Sequence, residues 1–428
     1  MAESTEVVRI EKLVHGGQGL ATLANGQKAF VWNALPGEQV RVRVFRKKRS
    51  FVEAVAEEVV EASPERVAPQ EANYLATSPW QIMQPAVEGR YKQQITEELF
   101  RHEHVELPEN GVQLATQDSD DAHFFHYRNK MEYSFWGDDE GLHIALHNRG
   151  SHQKSVVTGS KLALPAIDEA ARAVLAVLQK QDLRAGDLKT MVIRCSQDGH
   201  TAVSLFTKLE EFPRLPLPEG VQGLRAYYSN PKSPASVPTK RLYELGDVRL
   251  HDALLDQDFV YDVDSFFQVN IPVFEQALKR IKEFCGADEV TDMYAGVGSI
   301  GLSVAGKSVD LIELDPATAA MARVNAANSP LEARVVEQSA ETEPNHYIYC
   351  DGGVLVFDPP RAGLHQKVVA AVEAILPPKI IYLSCNPATQ ARDLALLQDS
   401  YVIEHLEVFN FFPRTPHIEC LAVLTAKD

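Results

Sequence analysis

Residues 292–301 read DMYAGVGSIG, and this stretch decides the fold of the second half of the chain. Its three glycines form a GxGxxG pattern between an apolar run that predicts a strand and a run that predicts a helix. Glycine lets the backbone come close to a ligand and opens the following helix towards it. By itself the pattern fits either a dinucleotide or an adenosyl cofactor.

The sequence around this stretch alternates between strand-like and helix-like runs from about residue 250 to the C-terminus. Such alternation predicts a doubly wound, mostly parallel α/β sheet of the Rossmann-like class. Ligands of these sheets bind beyond the carboxyl ends of the strands. The residues at the strand ends are therefore the candidate site.

Two predicted strand ends carry carboxylates. Glu313 ends the strand after the glycine loop, where it can accept hydrogen bonds from both hydroxyls of a ribose; an exposed strand-end acid is the alternative. Asp358 begins a DPPR segment in which two prolines stiffen the exit from the next strand. Such a loop is typical of enzymes that methylate planar bases. Arg361, in place of an aromatic residue, argues against transfer to an exocyclic nitrogen.

A third strand end carries a cysteine. Cys385 lies where the strand opens into an Asn-Pro turn, which suits a thiolate better than a packed thiol. The other four cysteines, at 195, 285, 350 and 420, are expected to be small core residues. Since no CxxC pair exists, neither a disulfide framework nor a cysteine zinc site is indicated. Either His417 or Glu419, before the last strand, can serve as a base.

These groups match the chemistry of methyl transfer to C5 of uracil. That carbon is too weak a nucleophile to react directly, so a thiolate first adds at C6. A base must then remove the C5 proton so that the thiolate can leave. One cysteine, one base and S-adenosylmethionine suffice, and no metal is required.

The N-terminal half has a different character. At 428 residues the chain is long enough for about three domains. Alternating apolar residues and turn signals in residues 1–62 predict a small closed β-barrel. Although the net charge of the chain is -17, its first 49 residues carry nine Lys or Arg against four Glu. The run at Lys47 and Lys48 can track phosphates, or it can be a solvated hairpin tip.

Residues 70–250 predict a central α+β domain, and residues 251–428 form the α/β domain. The histidines of the central domain are scattered over several predicted elements, so no metal site is expected. The acidic N-terminus does not resemble a signal peptide, and no apolar run is long enough for a membrane span. We therefore expect a cytoplasmic protein without a membrane partner.

The FFQVN segment at 266–270, DMYAGVGSIGL, Glu313, DPPRAGL, SCNPAT and PRTPHIE together resemble the RNA uridine-5-methyltransferase family. Its members use S-adenosylmethionine to make 5-methyluridine in ribosomal or transfer RNA. The N-terminal barrel resembles the OB-like TRAM domain, an RNA-binding module. The resemblance implies Cys385 as the nucleophile and Glu419 as the base. It also implies cofactor contacts at Gln268, Tyr294, Gly296, Glu313 and Asp358, and substrate or orienting roles for Arg361 and His417. Further candidate RNA contacts are Arg128 and Lys130, in a segment that the resemblance reaches more weakly, and Lys47 and Lys48 of the basic run.

Two features depart from the family pattern. Many members hold an iron–sulfur cluster on four cysteines, but residues 73–81 and 160–162 contain none in the corresponding regions. We predict a protein without that cluster. Ser339 stands where the family often places an aspartate near the adenine, and Glu341 is the alternative contact.

The sequence thus predicts a monomeric uridine-C5 methyltransferase that acts on structured RNA. The TRAM-like barrel favours 23S rRNA, because bacterial relatives that act on tRNA generally lack it. A tRNA methyltransferase and a non-catalytic RNA-binding assembly factor are the alternatives. A nicotinamide-dependent oxidoreductase and a cytosine-5 methyltransferase are further rivals.

Overall fold

The computed structural model describes residues 5–115, 121–150, 153–286, 289–348 and 353–427. The chain divides into two units, each made of segments distant in sequence. The first comprises Met1–Tyr91, Asp118–Val248 and Phe412–Pro416; the second comprises Lys92–Gln117, Arg249–Phe411 and His417–Asp428. Within the described residues, no helix is both long and apolar enough to cross a membrane.

The first unit begins with a closed five-stranded barrel in the order β1-β2-β3-β5-β4. Its strands are β1 (Thr5–Leu13), β2 (Gly19–Thr22), β3 (Lys28–Trp32), β4 (Gln39–Lys47) and β5 (Phe51–Glu61). Alternate residues such as Val40, Val42, Val52 and Ala54 point inward and fill the barrel. The predicted small barrel is confirmed.

The remainder of the first unit is built on a seven-stranded sheet in the order β13-β12-β11-β10-β7-β8-β9. Its strands are β7 (Lys130–Asp138), β8 (Gly141–His147), β9 (Lys154–Val156), β10 (Leu188–Cys195), β11 (Thr201–Thr207), β12 (Gly223–Tyr228) and β13 (Lys240–Gly246). Helix α3 (Pro165–Leu178) packs on this sheet through Ile167, Val174 and Leu178. The short helix α1 (Tyr74–Thr77) and the first part of α2 (Pro85–His102) complete the unit.

The second unit contains an eight-stranded sheet in the order β18-β17-β16-β19-β20-β22-β21-β6. Its strands are β6 (Gln113–Leu114), β16 (Glu289–Asp292), β17 (Ser308–Glu313), β18 (Glu332–Glu337), β19 (Val354–Phe357), β20 (Lys379–Ser384), β21 (Tyr401–Phe409) and β22 (Glu419–Ala426). A separate hairpin joins β14 (Arg249–Leu254) to β15 (Gln257–Asp262). The helices are α4 (Ile271–Cys285), α5 (Gly301–Val304), α6 (Pro316–Asn328), α7 (Gln366–Ile375) and α8 (Pro387–Leu397).

The five strands β18, β17, β16, β19 and β20 lie side by side in this order, and each is parallel to its neighbour. Strand β22 runs antiparallel to both β20 and β21. The parallel strands are apolar along their length because helices cover such sheets on both faces, and Val354–Phe357 is fully buried. The predicted Rossmann-like α/β class is therefore confirmed.

Two segments group differently from the predicted domains. Residues 92–117 lie within the predicted central domain, but β6 hydrogen-bonds with β21 in the second unit. Residues 412–416 lie within the predicted α/β domain, but they pack in the first unit. In both cases the partners are hundreds of residues away in the chain, where local sequence patterns carry no signal.

Candidate active site

Strand register brings the predicted nucleophile and base together. In the antiparallel ladder of β20 and β22, Leu383 pairs with Leu421 and Ser384 pairs with Cys420. Cys385 follows this last pair on the β20 side and Glu419 precedes it on the β22 side, and the Glu419 carboxylate raises the pKa of the Cys385 thiol. Directly opposed residues of an antiparallel pair have neighbouring side chains. The thiol and the carboxyl group thus share one edge of the sheet.

The thiol of Cys385 is half-buried. Burial raises its pKa to about 12, the carboxylates of Glu419 and Asp358 act in the same direction, and the guanidinium of Arg361 opposes them. Burial and the two carboxylates disfavour the negatively charged thiolate, whereas the positive charge of Arg361 favours it. The free site therefore holds a neutral thiol.

Glu419 is almost fully buried, and its Oε1 atom has no hydrogen-bond partner among the described residues. Burial raises its pKa well above the ordinary value; Asp358 raises it further and Arg361 lowers it. The pKa of Asp358 is also raised, by burial and then by Asp292. This group of acids gains from any positive charge or hydrogen-bond donor that binds beside it.

The DPPRAGL loop is held against the helix that follows Cys385. The carbonyl oxygen of Arg361 accepts hydrogen bonds from Asn386 Nδ2 at 2.8 Å and Thr389 Oγ1 at 3.2 Å. The backbone N–H of Leu364 donates to Asp393 Oδ2 at 2.7 Å. The loop that carries Asp358 and the helix α8 are thereby fixed to each other.

The glycine-rich loop forms an open cradle next to Glu313. Gly296 has a φ of 58°, and a Cβ atom there would meet nothing within 4 Å. Its N–H donates to Glu313 Oε2 at 2.9 Å, while the N–H of Asp315 donates to Oε1 at 2.7 Å. These bonds fix the carboxylate and leave further lone pairs on both oxygens for the hydroxyls of a ribose.

Gln268 and Tyr294 lie at the same edge. Gln268 is buried, and its Nε2 lies 3.4 Å from Asp358 Oδ2. Burial raises the pKa of Tyr294, and the carboxylate of Glu341 adds to this effect. The hydroxyl group of Ser339 donates a hydrogen bond to the carboxylate of Glu341. Glu341 thus lies near a predicted cofactor residue, with Ser339 bound to it.

Sequence reasoning missed Asp292, although it begins the stretch that decides the fold. It is buried and accepts a hydrogen bond from the N–H of Gly301 at 2.9 Å. Burial raises its pKa to about 7, and Glu313 contributes to the shift. Its position at the end of β16 was the available signal.

The site has polar atoms that can hydrogen-bond to a bound cofactor and to a substrate nucleobase. Three of the buried polar atoms without a hydrogen-bond partner among the described residues are Asp292 Oδ1, Asn386 Oδ1 and Glu419 Oε1. Such atoms each cost about 1–3 kcal/mol when left unsatisfied. Together with the open glycine cradle, they fit an adenosyl cofactor and a planar polar substrate.

The other predicted RNA contacts are distributed over both units. Lys47 and Lys48 are exposed at the turn between β4 and β5 of the first unit, and Arg128 and Lys130 also belong to that unit. The Arg128 guanidinium lies 5.9 Å from the centre of the Phe412 ring. His417 belongs to the second unit and is half-buried. The roles of these residues in RNA contact stay predictions.

The regions that correspond to the family's cluster cysteines are joined by a carboxylate. Glu71 Oε1 accepts hydrogen bonds from Thr77 Oγ1 at 2.6 Å, Ser78 Oγ at 3.0 Å and Gln81 Nε2 at 2.9 Å. Its Oε2 accepts one from the N–H of Lys161 at 3.1 Å. Hydroxyls and amides already bound in this way are not ligands for iron. The residues present do not fit a cluster.

Comparisons with known proteins agree with the geometry. Residues 345–427 match the family model described as tRNA (Uracil-5-)-methyltransferase, and residues 3–56 match the TRAM domain. A relative from Thermotoga maritima, named as an RNA methyltransferase, is 26% identical over 99% of each chain. One from Lactiplantibacillus plantarum, with the same name, is 29% identical over 97% of this chain and 96% of its own.

A solved structure shares the fold over the whole length. The Pyrococcus abyssi tRNA (uracil-54, C5)-methyltransferase, crystallised with S-adenosyl-L-homocysteine, superposes with a TM-score of 0.75. It is 23% identical, and the match covers 99% of this chain and 100% of that one. The likeness supports the fold of this chain.

Proposed function

We propose that this chain, an RNA methyltransferase of the uracil-C5 class with an N-terminal TRAM domain, methylates C5 of a uridine in structured RNA with S-adenosylmethionine as methyl donor. One observation carries the proposal. The carboxylates of Glu419 and Asp358 both act on the Cys385 thiol, at the strand ends where β20 and β22 pair through Leu383–Leu421 and Ser384–Cys420.

In the proposed reaction, Cys385 releases its thiol proton to water and its Sγ adds to C6 of the uracil. The π electrons of the C5–C6 bond shift towards the O4 carbonyl, and C5 becomes nucleophilic. When bound, S-adenosylmethionine supplies an electrophilic methyl group and a positive charge. Once C5 has bonded to that methyl carbon and the S–CH3 bond has broken, its electron pair staying on sulfur as a neutral thioether, Glu419 would remove the C5 proton. The C5–C6 double bond then re-forms and the Cys385 thiolate is expelled.

The electrostatics of the free site explain why this chemistry needs a complete complex. Burial and neighbouring carboxylates raise the pKa of both Cys385 and Glu419 and so disfavour their ionised forms. A positive charge bound beside Asp358 stabilises both ionised forms, as Arg361 does in part. The nucleophile and the base are thus activated together with binding, which limits side reactions of the thiol.

The chain's own residues fit the cofactor by chemistry. Glu313 is the proposed acceptor for the ribose hydroxyls, and Gly296 allows close approach of the backbone. Gln268, Tyr294 and Asp358 are the remaining proposed contacts. Glu341 is proposed on the adenine side, since it lies near Tyr294.

For the substrate we propose 23S rRNA, supported by the TRAM match at residues 3–56. The tRNA named for the Pyrococcus abyssi protein makes tRNA the second candidate. Within the protein, we propose that residues 1–62 bind RNA, residues 70–250 form the central domain and residues 251–428 catalyse transfer. We further propose a monomer that acts in the cytoplasm.

The test is tritium release from RNA that contains [5-³H]uridine, with 23S rRNA and tRNA in parallel. We expect release from one of them, none with Cys385→Ala, and an accumulating covalent RNA adduct with Glu419→Gln. Cys195→Ala is the control, because Cys195 is a buried cysteine of the first unit. Substantial release by Cys385→Ala would remove that thiol from the mechanism.

A further inference from the structure

The five residues Phe412–Pro416 belong to the first unit, although the chain on either side of them belongs to the second. Glu419, the proposed base, lies three residues after Pro416 and opens β22. The segment is thus a short excursion into the first unit, followed almost at once by the residue that must reach the C5 proton.

Arg414 is the centre of this excursion. Its backbone N–H donates to both carboxylate oxygens of Glu88, at 2.9 Å and 3.0 Å. Its guanidinium donates through Nη1 to Glu88 Oε2 at 3.3 Å and through Nη2 to the carbonyl oxygen of Met83 at 2.7 Å. Both side chains of the pair are almost fully buried, at 3% and 0% exposure. Glu88 therefore binds the backbone and the side chain of the same residue.

The backbone of Arg414 is held in a conformation that arginine seldom adopts. Its φ is 62°, in the left-handed region. A non-glycine residue stays there only when its surroundings fix it. The double hydrogen bond from the N–H of Arg414 to Glu88 provides such a constraint.

The residues around Arg414 are held by several parts of the same unit. Tyr127 donates its hydroxyl to the carbonyl oxygen of Pro413 at 3.0 Å. The N–H of Trp80 donates to the carbonyl oxygen of Arg414 at 3.1 Å. Pro416 packs so closely on Gly17 of the barrel that a Cβ atom at Gly17 would lie 2.2 Å from it. The segment is thus held by the barrel, by the stretch that follows the barrel and by the stretch that precedes β7.

We propose that Glu88 and Arg414 are positioning residues for Glu419: the buried pair fixes the segment that leads into β22 and so sets where the base stands for removal of the C5 proton. The inference rests on the proposed function, because it assigns a role in that reaction. Cys385 follows β20, whereas the segment leads into the separate strand β22. Loss of the Glu88–Arg414 pair therefore slows removal of the C5 proton by Glu419 and leaves the addition of Cys385 to C6 unchanged.

The test separates the two steps in a single turnover. Adduct formation is measured as the RNA-bound band on a denaturing gel, and proton removal as tritium release from [5-³H]uridine RNA. For Glu88→Gln we expect proton removal to slow by roughly 10- to 100-fold, the usual effect of a small misplacement of a catalytic group, while adduct formation stays near wild type. The adduct then accumulates.

The matched control is Glu38→Gln. Glu38 is a second fully buried glutamate of the first unit that binds one arginine, Arg66, together with backbone N–H groups. It is not bonded to residues 412–416 in the hydrogen bonds of the described chain. We expect Glu38→Gln to lower the melting temperature to a similar extent without any accumulation of adduct.

Arg414→Gly keeps the test decisive if Glu88→Gln does not fold. Glycine accepts the left-handed φ at no cost but lacks the guanidinium, so we expect the same accumulation of adduct. Adduct levels equal to those of Glu38→Gln in both variants would overturn the inference. Failure of the proposed function has another signature, because the wild-type protein itself would then release no tritium.

Discussion

The raised pKa of Cys385 leads to a quantitative prediction for its reactivity in the free protein. The shift from the ordinary 9.0 to about 12 lowers the thiolate fraction at pH 8 by about 10³. A more basic thiolate is more nucleophilic, with a Brønsted slope of about 0.45, which returns a factor of roughly 20. The net result is alkylation by iodoacetamide about 50-fold slower than for an unperturbed thiol, before any steric protection.

The assay is the rate of carbamidomethylation at Cys385, followed by peptide mass spectrometry from pH 7 to pH 10. Because the pKa lies above this range, we expect the rate to rise about tenfold per pH unit without a plateau. Glu419→Gln removes a carboxylate that raises this pKa, so it should accelerate the reaction. Arg361→Gln removes the cation that lowers it and should slow the reaction.

Cys385→Ala identifies the modified peptide and serves as the blank. A plateau below pH 9, or a rate at pH 7 equal to that of free cysteine, would refute the neutral-thiol description. Slower alkylation with Glu419→Gln, or faster alkylation with Arg361→Gln, would also contradict the assigned causes.

Three further predictions concern the cradle and the first unit. Glu313→Gln should weaken S-adenosylhomocysteine binding by roughly 10- to 100-fold in calorimetry, because a charge-assisted hydrogen bond contributes about 1.5–3 kcal/mol. Unchanged affinity would place the ribose elsewhere. Gly298→Ala should cost about 1–3 kcal/mol in urea unfolding, since φ is 89° and the new methyl would lie 2.8 Å from Leu302 Cδ1. Gly286→Ala, with φ of 51° and open space around it, should cost less. Glu71→Ala should lower stability by about 2–4 kcal/mol because four donors lose their acceptor; a change below 0.5 kcal/mol would show that the network is not structural.

Much of the site was predictable because parallel strands bring their carboxyl ends to one edge. Glu313, Asp358 and Cys385 each end or follow such a strand, so each could be assigned from local sequence alone. Asp292 satisfied the same rule, and what distinguishes it is its burial. Glu341 became a firmer candidate than Ser339 only through its proximity to Tyr294.

The sequence by itself determined the α/β class and the barrel, because alternation of apolar residues and turn signals are local properties. Glu313, Asp358 and Cys385 became candidates through their places at strand ends, whereas the choice of Glu419 over His417 as base came from the family resemblance. The tertiary structure decided what depends on pairing between distant segments. The register of β20 and β22, which pairs Ser384 with Cys420, brings Cys385 and Glu419 to the same strand ends, and a slip of one residue would turn every side chain to the other face. Glu88 and Arg414 are 326 residues apart, and both are charged residues that local sequence would assign to the surface. Only the folded chain shows that they are buried together just ahead of the base.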